Sequence, residues 1–136
     1  MAIDIRPARS DDTSAVLAFW REVAAPTTTD DAEGVAALLA RDPGALLVAA
    51  SSGQIVGTVI AAWDGWRGSV YRIAVAPEHR REGLGLRLLD EAEQRLARLG
   101  ARRMQAIVVG TDESAVGFWR ASDWEGQTSQ LRFTRG

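Results

Sequence analysis

The chain has 136 residues, of which 46% are apolar and 25% charged, and its net charge at pH 7 is −2. This composition is ordinary for a globular protein, the length predicts one domain over residues 1–136, and the charge gives no general attraction to nucleic acid. The chain contains no cysteine and no lysine, which excludes disulfides, thiolate metal sites, a cysteine nucleophile, a Walker lysine and a Schiff-base lysine.

Hydropathy patterns and turn residues predict the element order β-α-α-β-β-β-α-β-α-β. The chain begins with a predicted strand over Ile3–Pro7, a helix capped at Ser10 and ended by Pro26 and Thr27–Thr29, and a second helix capped by Thr29 or Asp30. Three predicted strands follow, over Ala45–Ser51, Gln54–Trp63 and Ser69–Val75, and then a helix from Gly83 to Gly100. The last predicted elements are a central strand over Met104–Val109, a helix over Ser114–Arg120 and a strand over Gln127–Thr134. This order is typical of a mixed α/β (α+β) domain.

The stretch Ile73–Leu89 reads I-A-V-A-P-E-H-R-R-E-G-L-G-L-R-L-L and joins a strand to a helix. Gly83 and Gly85 open that helix, and three basic residues, His79 to Arg81, come just before them. The N–H groups and the dipole of a helix N-terminus favour a negative charge. A tight connection alone would need the glycines but not three basic residues, so the stretch predicts a phosphate site.

The run I-A-V-A-P-x-x-R-x-x-G-x-G resembles motif A of the GNAT superfamily of acetyl-CoA-dependent N-acetyltransferases, with Arg80, Gly83 and Gly85 on its fixed positions. The run D-x-x-A-x-x-F-W, from Asp112 to Trp119, is similar to motif B. The element order over the whole chain also resembles this family. The resemblance implies a mixed, mostly antiparallel sheet of six to seven strands that splays between the fourth and fifth strands.

The resemblance also implies a binding mode for coenzyme A. Its pyrophosphate would lie on the backbone amides of Arg81–Leu86, its pantetheine arm would pair with Ile73–Val75 like an added strand, and a backbone N–H near Val75 would stabilise the oxyanion. The residues that the resemblance assigns to the cofactor are Ile73, Ala74, Val75, Arg80, Arg81, Glu82, Gly83, Leu84, Gly85, Leu86, Arg87, Asp112, Phe118 and Trp119.

The general acid is not at its usual place, because Trp119 stands where the family usually has a tyrosine. An indole N–H is a poor proton donor, so Trp119 is better interpreted as a wall against the pantetheine. Ile107 stands where some related enzymes have a glutamate base. Tyr71 is a candidate acid or acceptor ligand, since strand alternation puts it on the face of Ile73, although packing on the sheet explains it equally well. Proton transfer through water is a further alternative.

The acceptor side has weaker signals. Glu22, Trp63 and Trp66 are candidate acceptor residues, although Glu22 also fits a solvated helix charge and the tryptophans also fit a core or an interface. The implied activity is direct transfer of an acetyl group to an amine of a small molecule or a protein N-terminus. The alternative is a catalytically weak or inactive module that binds coenzyme A or acyl-CoA. Exposed tryptophans and a C-terminal edge strand also favour a homodimer.

The sequence gives no sign of a membrane, nucleic-acid or metal partner. No apolar run approaches the ~18 residues of a membrane span, and the N-terminus lacks the pattern of a signal peptide. Basic residues cluster at one turn without interleaved aromatic residues, which argues against nucleic-acid binding. We therefore predict a cytoplasmic protein without a metal ion.

Overall fold

The computed structural model describes residues 2–24 and 30–136. The chain divides into two compact units, Met1–Ala106 and Ile107–Gly136. The predicted ends of the first helix at Pro26 and Thr27–Thr29, and the predicted cap Thr29, lie outside the described residues.

The first unit is a sheet with helices on its faces. Its strands are β1 (Asp4–Pro7), β2 (Leu46–Ser51), β3 (Gln54–Trp63), β4 (Gly68–Val75) and β5 (Met104–Ala106), and its helices are α1 (Thr13–Val23), α2 (Ala32–Arg41) and α3 (Leu84–Leu99). The sheet order follows the chain, with β1 to β4 antiparallel and β5 parallel to β4. The mixed α/β architecture and the mostly antiparallel sheet are therefore confirmed.

Helix α3 follows the predicted pattern closely. Gly83 precedes it with φ +79° and Gly100 ends it with φ +106°, both in the left-handed region that glycine adopts without strain. One face of α3 is apolar and buried, although Leu99 at the end of the helix is 42% exposed. The buried residues of this face are Leu84, Leu88, Leu89, Ala92 and Leu96. Helix α2 is capped by Asp31, whose carboxylate accepts from the Gly34 N–H, rather than by Asp30.

The two faces of the sheet carry different helices. A Cβ at Gly57 of β3 would lie 2.9 Å from Leu88 Cδ1, so Gly57 lets α3 approach one face closely. On the other face, the Trp20 Nε1–H of α1 donates to Thr58 Oγ1 at 2.9 Å. Since Gly57 and Thr58 are adjacent, they mark opposite faces of β3. Helix α3 therefore closes one face and α1 packs on the other.

The prediction of six to seven strands is wrong, because five strands occur among the described residues. Strand β5 ends at Ala106 instead of Val109 and lies at the sheet edge, whereas a central strand was predicted. Residues 127–134 form no strand, although their apolar and polar residues alternate. Alternating apolar and polar residues show only that a segment could bury one of its sides. Here that side is not buried, since Leu131 and Phe133 are 81% and 88% exposed. The second unit contains α4 (Glu113–Ala121).

A charged contact ties β1 to the start of α1 and gives a pH-dependent prediction. Arg6 Nη1 donates to Asp12 Oδ2 at 2.8 Å, which lowers the pKa of Asp12 from 3.8 to about 2. Because the folded pKa is depressed, this stabilisation is present above pH 3.8 and is lost as the pH falls towards 2. Asp12→Asn is expected to lower the unfolding free energy at pH 7 by about 1–2 kcal/mol and to flatten its decline between pH 4 and 2. Urea unfolding at a series of pH values measures both effects.

Asp11→Asn is the matched control, because the Asp11 carboxylate is 85% exposed and lies 3.8 Å from Arg9. Exposed pairs of this kind contribute little, so its stability should follow that of the wild type at every pH. Equal pH profiles for the Asp11 and Asp12 variants would contradict the assignment.

Candidate functional site

The connection from β4 to α3 presents backbone N–H groups to one side. After β4 a 3₁₀ turn covers Pro77–His79, and both Arg81 (φ +67°) and Gly83 adopt left-handed backbone conformations before α3 begins. The first helical bond runs from the Arg87 N–H to the Gly83 carbonyl, at 3.0 Å. The N–H groups of Leu84, Gly85 and Leu86 therefore precede the helical ladder and point out of the helix end. This arrangement can accept an anion.

Space is available over these N–H groups. A Cβ at Gly83 would have no atom within 4 Å apart from its chain neighbours, so the backbone there faces an open region. A phosphate could approach this backbone without meeting a side chain at position 83. The predicted turn residues Arg81 to Leu86 are therefore brought together around one surface.

Three basic side chains in and beside this turn, those of His79, Arg80 and Arg87, contact other groups of the chain. Arg80 Nε donates to the Val75 carbonyl at 3.2 Å, and Arg87 Nη2 donates to the Ile3 carbonyl at 3.4 Å. His79 Nδ1 lies 3.2 Å from Glu82 Oε2, so a carboxylate also stands in the turn. Arg80 thus braces the end of β4 against the turn, a role that the sequence did not predict.

The last residues of β4 offer backbone groups at its outer edge. Strand β5 pairs only with Gly68–Val70, so β4 continues beyond the last paired position within the first unit. The Ala76 N–H donates to the Val56 carbonyl, and hydrogen-bonded pairs alternate along an antiparallel ladder. By this alternation Ala74 bonds to β3, while the N–H and C=O groups of Ile73 and Val75 point away from β3. An amide-bearing ligand could pair with both N–H groups and with the Ile73 carbonyl, since the Val75 carbonyl accepts from Arg80.

A β-bulge interrupts β4 just before these residues. Thr58 pairs with Ala74 and Ile60 pairs with Tyr71, so β4 has one extra residue in this interval. Arg72 sits in the bulge with φ +52°. Partners in register share a face, which puts Tyr71 on the α1 face and Ile73 on the α3 face. The prediction that Tyr71 and Ile73 share a face is therefore wrong, because the bulge breaks the alternation on which it relied.

The bulge is held by a buried hydrogen-bond chain that the sequence did not predict. Thr58 Oγ1, which is fully buried, accepts from Trp20 Nε1–H and donates to the Arg72 carbonyl at 2.8 Å. The Arg72 guanidinium lies over the Trp20 ring, 5.4 Å from its centroid, and forms an ion pair with Asp30. One residue of β4 is thus connected to α1, to β3 and to the residue that precedes the cap of α2.

The proposed acceptor residues are not all brought together. Tyr71 is 47% exposed on the α1 face, and Glu22 is exposed near the end of α1. Trp63 and Trp66 lie at the opposite end of β4 from the turn, roughly 23 Å from Val75 at ~3.3 Å per residue. Trp66 is 69% exposed there, with the Arg67 guanidinium 4.0 Å from its ring centroid.

The second unit has its own aromatic cluster. The Asp112 carboxylate accepts from the Ala115 N–H at 3.0 Å and caps α4, which explains an aspartate at this position. The Trp119 ring packs edge-on against Phe118, with centroids 5.6 Å apart, and against Trp124, with centroids 4.6 Å apart. Trp119 therefore has a packing role in this unit, and Trp124 is a partner that the motif did not reveal.

Two depressions lie away from the turn. They have volumes of about 340 and 290 Å³ and share Arg95 in the C-terminal half of α3. Neither is lined by a residue of the β4–α3 connection. Within residues 2–24 and 30–136, no cluster of three His, Asp or Glu side chains could hold a metal ion, and none of the helices is long and apolar enough to cross a membrane.

Comparison with known proteins gives a consistent pattern. A family model described as the acetyltransferase (GNAT) family matches residues 11–123. An acetyltransferase of Pectobacterium atrosepticum is 31% identical over 124 residues, covering 90% of this chain and 88% of that protein. An acetyltransferase of Sodalis glossinidius is 28% identical over 130 residues, covering 95% and 92% of the two chains.

Solved structures share the fold at lower identity. The aminoglycoside 6'-N-acetyltransferase AAC(6')-IG of Acinetobacter haemolyticus superimposes with a TM-score of 0.80 at 18% identity, covering 98% of both chains. The structure of AAC(6')-Iy in complex with a bisubstrate analogue, CoA-S-monomethyl-acetylneamine, gives a TM-score of 0.78 at 19% identity and covers 100% of this chain and 99% of the other.

Proposed function

Because the chain belongs to the GNAT acetyltransferase family, we propose that it transfers the acetyl group of acetyl-CoA directly to an amine of a small molecule or of a protein N-terminus. Membership of this family identifies the chain as an N-acetyltransferase that uses acetyl-CoA as its cosubstrate. The observation that carries the finer proposal is the β4–α3 connection, where a row of backbone N–H groups adjoins the outer edge of β4.

The pyrophosphate of acetyl-CoA would lie on the turn. The N–H groups of Leu84, Gly85 and Leu86 and the open space over Gly83 support this position. Arg81 is exposed beside them and adds positive charge. Arg80 and Arg87, which are bound to backbone carbonyls, would contribute mainly by shaping the turn and by their charge.

The pantetheine arm would continue along β4. Its amides match the outward N–H groups of Ile73 and Val75 and the Ile73 carbonyl, since the Val75 carbonyl accepts from Arg80. Ala74 bonds to β3 and would contribute through packing. The Val75 N–H, the donor predicted for the oxyanion, would stabilise the negative charge that develops on the thioester carbonyl oxygen.

The reaction consists of one nucleophilic attack, the loss of one proton from the amine and the protonation of the departing thiolate. The acceptor nitrogen attacks the thioester carbonyl carbon, the C–S bond breaks with its electron pair going to sulfur, and the amine loses one proton. Tyr71 is the candidate acid for the thiolate, because its exposed side chain lies on the α1 face beside the bulge. Water can carry the proton instead, since a thiolate is a good leaving group.

The acceptor is a separate part of the proposal. Two of the structural neighbours are enzymes that acetylate aminoglycosides, which are amines, and Glu22 gives the α1 side an exposed carboxylate that would attract an ammonium group. We therefore favour an acceptor with at least one cationic amine. A homodimer and a cytoplasmic location stay predictions of the sequence.

Titration calorimetry with acetyl-CoA, followed by a thiol-release assay, tests the proposal. We expect binding in the micromolar-to-millimolar range, and release of coenzyme A that depends on an amine from a panel of spermidine, kanamycin A and a short peptide with a free N-terminus. Binding without release against any amine would favour the alternative, a module that binds acyl-CoA without turning it over. Absence of binding would overturn both.

A further inference from the structure

Within the described part of the first unit, the α3 face beside the outer edge of β4 is closed. On the α3 face, Val75 is in register with Gly57. Leu88 packs closely against Gly57, since a Cβ added to Gly57 would lie 2.9 Å from Leu88 Cδ1. Leu84 and Leu88 are buried on this face, with exposed fractions of 2% and 0%. Within this unit we therefore expect the acceptor to approach from the α1 face, which carries Tyr71 and the side chain of Trp20.

Arg72 and Asp30 are the charged pair on that approach. Their side chains are 15% and 20% exposed, and they lie at the bulge directly before the edge that would hold the thioester. Asp30 immediately precedes Asp31, whose carboxylate caps α2. The guanidinium therefore connects the start of α2 to the bulge of β4.

The main chain of Arg72 is fixed independently of its side chain. Its carbonyl accepts from Thr58 Oγ1, which in turn accepts from Trp20, and both of these side chains are buried. A guanidinium attached to a backbone fixed in this way can hold Asp30 in a defined place. The ion pair can thus be removed while the hydrogen bonds of the bulge stay in place.

From this arrangement we propose that Arg72 is a positioning residue of the acceptor side: its ion pair with Asp30 fixes the start of α2 against the bulge of β4 and so sets the affinity for the acceptor amine. The inference rests on the proposed acetyl transfer, and it adds a residue that neither the motifs nor the family match assigns. Arg72 acts through Asp30 and α2, not through contact with acetyl-CoA.

Asp30→Asn tests the proposal, because it removes one charge at nearly constant size. We expect the KM for the best amine of the panel to rise about tenfold, as displacement of a substrate-positioning group typically reduces turnover at low substrate. The kcat at saturating amine and the Kd of acetyl-CoA should each stay within about twofold of the wild-type values. The reversed pair, Asp30→Arg with Arg72→Asp, should recover most of the affinity, and aspartate tolerates the left-handed backbone at position 72.

Asp12→Asn is the control for a merely structural ion pair. The Arg6–Asp12 pair has similar side-chain exposure, 24% and 13%, but it lies at β1 and the start of α1. This variant should lose stability and keep the wild-type KM for the amine. Thermal unfolding and far-UV circular dichroism of every variant establish that the folded proteins are being compared.

The outcomes separate the two proposals. No thiol release from the wild type with any amine would overturn the proposed function and, with it, this inference. Wild-type activity together with an unchanged KM in Asp30→Asn would overturn the inference alone. A matched loss of acetyl-CoA affinity and kcat would also overturn it, because the pair would then support the whole fold rather than the acceptor side.

Discussion

Gly83→Asp is expected to weaken acetyl-CoA binding about 30- to 1000-fold, because two like charges ~4 Å apart near a protein surface repel by about 2–4 kcal/mol. A side chain at position 83 enters open space, with no atom within 4 Å of its Cβ, over the N–H groups that would hold the pyrophosphate. The carboxylate would therefore occupy the phosphate position and repel the ligand. Titration calorimetry gives the change in Kd.

Two control variants separate charge from backbone strain. Gly83→Asn has nearly the same shape without the charge, and asparagine tolerates the left-handed conformation, so most of the binding should remain. Gly53→Asp, in the β2–β3 turn, has the same backbone setting, with φ +80° and no atom within 4 Å of its Cβ. It should lose about 1 kcal/mol of stability, as Gly83→Asp does, and bind acetyl-CoA normally. Equal binding by the two aspartate variants would contradict the phosphate site.

The parts of the fold that the sequence predicts correctly are those with local causes. Gly83 and Gly100 mark the two ends of α3, because only glycine adopts their left-handed conformations without strain. A single glycine in the sequence is enough to indicate such an end. Gly53, in the turn between the predicted strands Ala45–Ser51 and Gln54–Trp63, adopts φ +80° for the same reason. Strand 127–134 was wrongly predicted because a strand also needs a partner, and alternation of Leu131 and Phe133 with polar residues cannot supply one.

The candidate site likewise has one part with a local cause and one part that depends on contacts distant in the sequence. The turn between β4 and α3, with its outward N–H groups, could be predicted from Gly83, Gly85 and the basic residues before them. The bulge at Arg72 could not, since its extra residue depends on the register between β3 and β4 and an arginine at positive φ has no sequence signature. The partner of Trp20 likewise lies 38 residues away, at Thr58, and only the folded chain brings them together.

Thr58→Val is expected to lower the unfolding free energy by about 2–4 kcal/mol, although valine has almost the same shape as threonine. The fully buried Thr58 hydroxyl is the acceptor for the Trp20 indole N–H and the donor to the Arg72 carbonyl. Valine leaves the buried indole N–H and the part-buried Arg72 carbonyl without this partner, and a buried unsatisfied group costs about 1–3 kcal/mol. Equilibrium urea unfolding, followed by tryptophan fluorescence, measures the loss.

A second threonine and a double variant make the cause testable. Thr13 Oγ1 donates to the Ser10 carbonyl in an exposed setting, so Thr13→Val should cost less than about 1 kcal/mol. Trp20→Phe removes the indole donor, so it should cost about 1–2 kcal/mol less in the Thr58→Val background than in the wild type. Strict additivity of the two changes would show that the stability resides in packing around Trp20 and not in the hydrogen-bond chain. Coupling of the expected sign would show that the Trp20–Thr58 hydrogen bond stabilises the fold, through the same hydroxyl that donates to the Arg72 carbonyl in the bulge of β4.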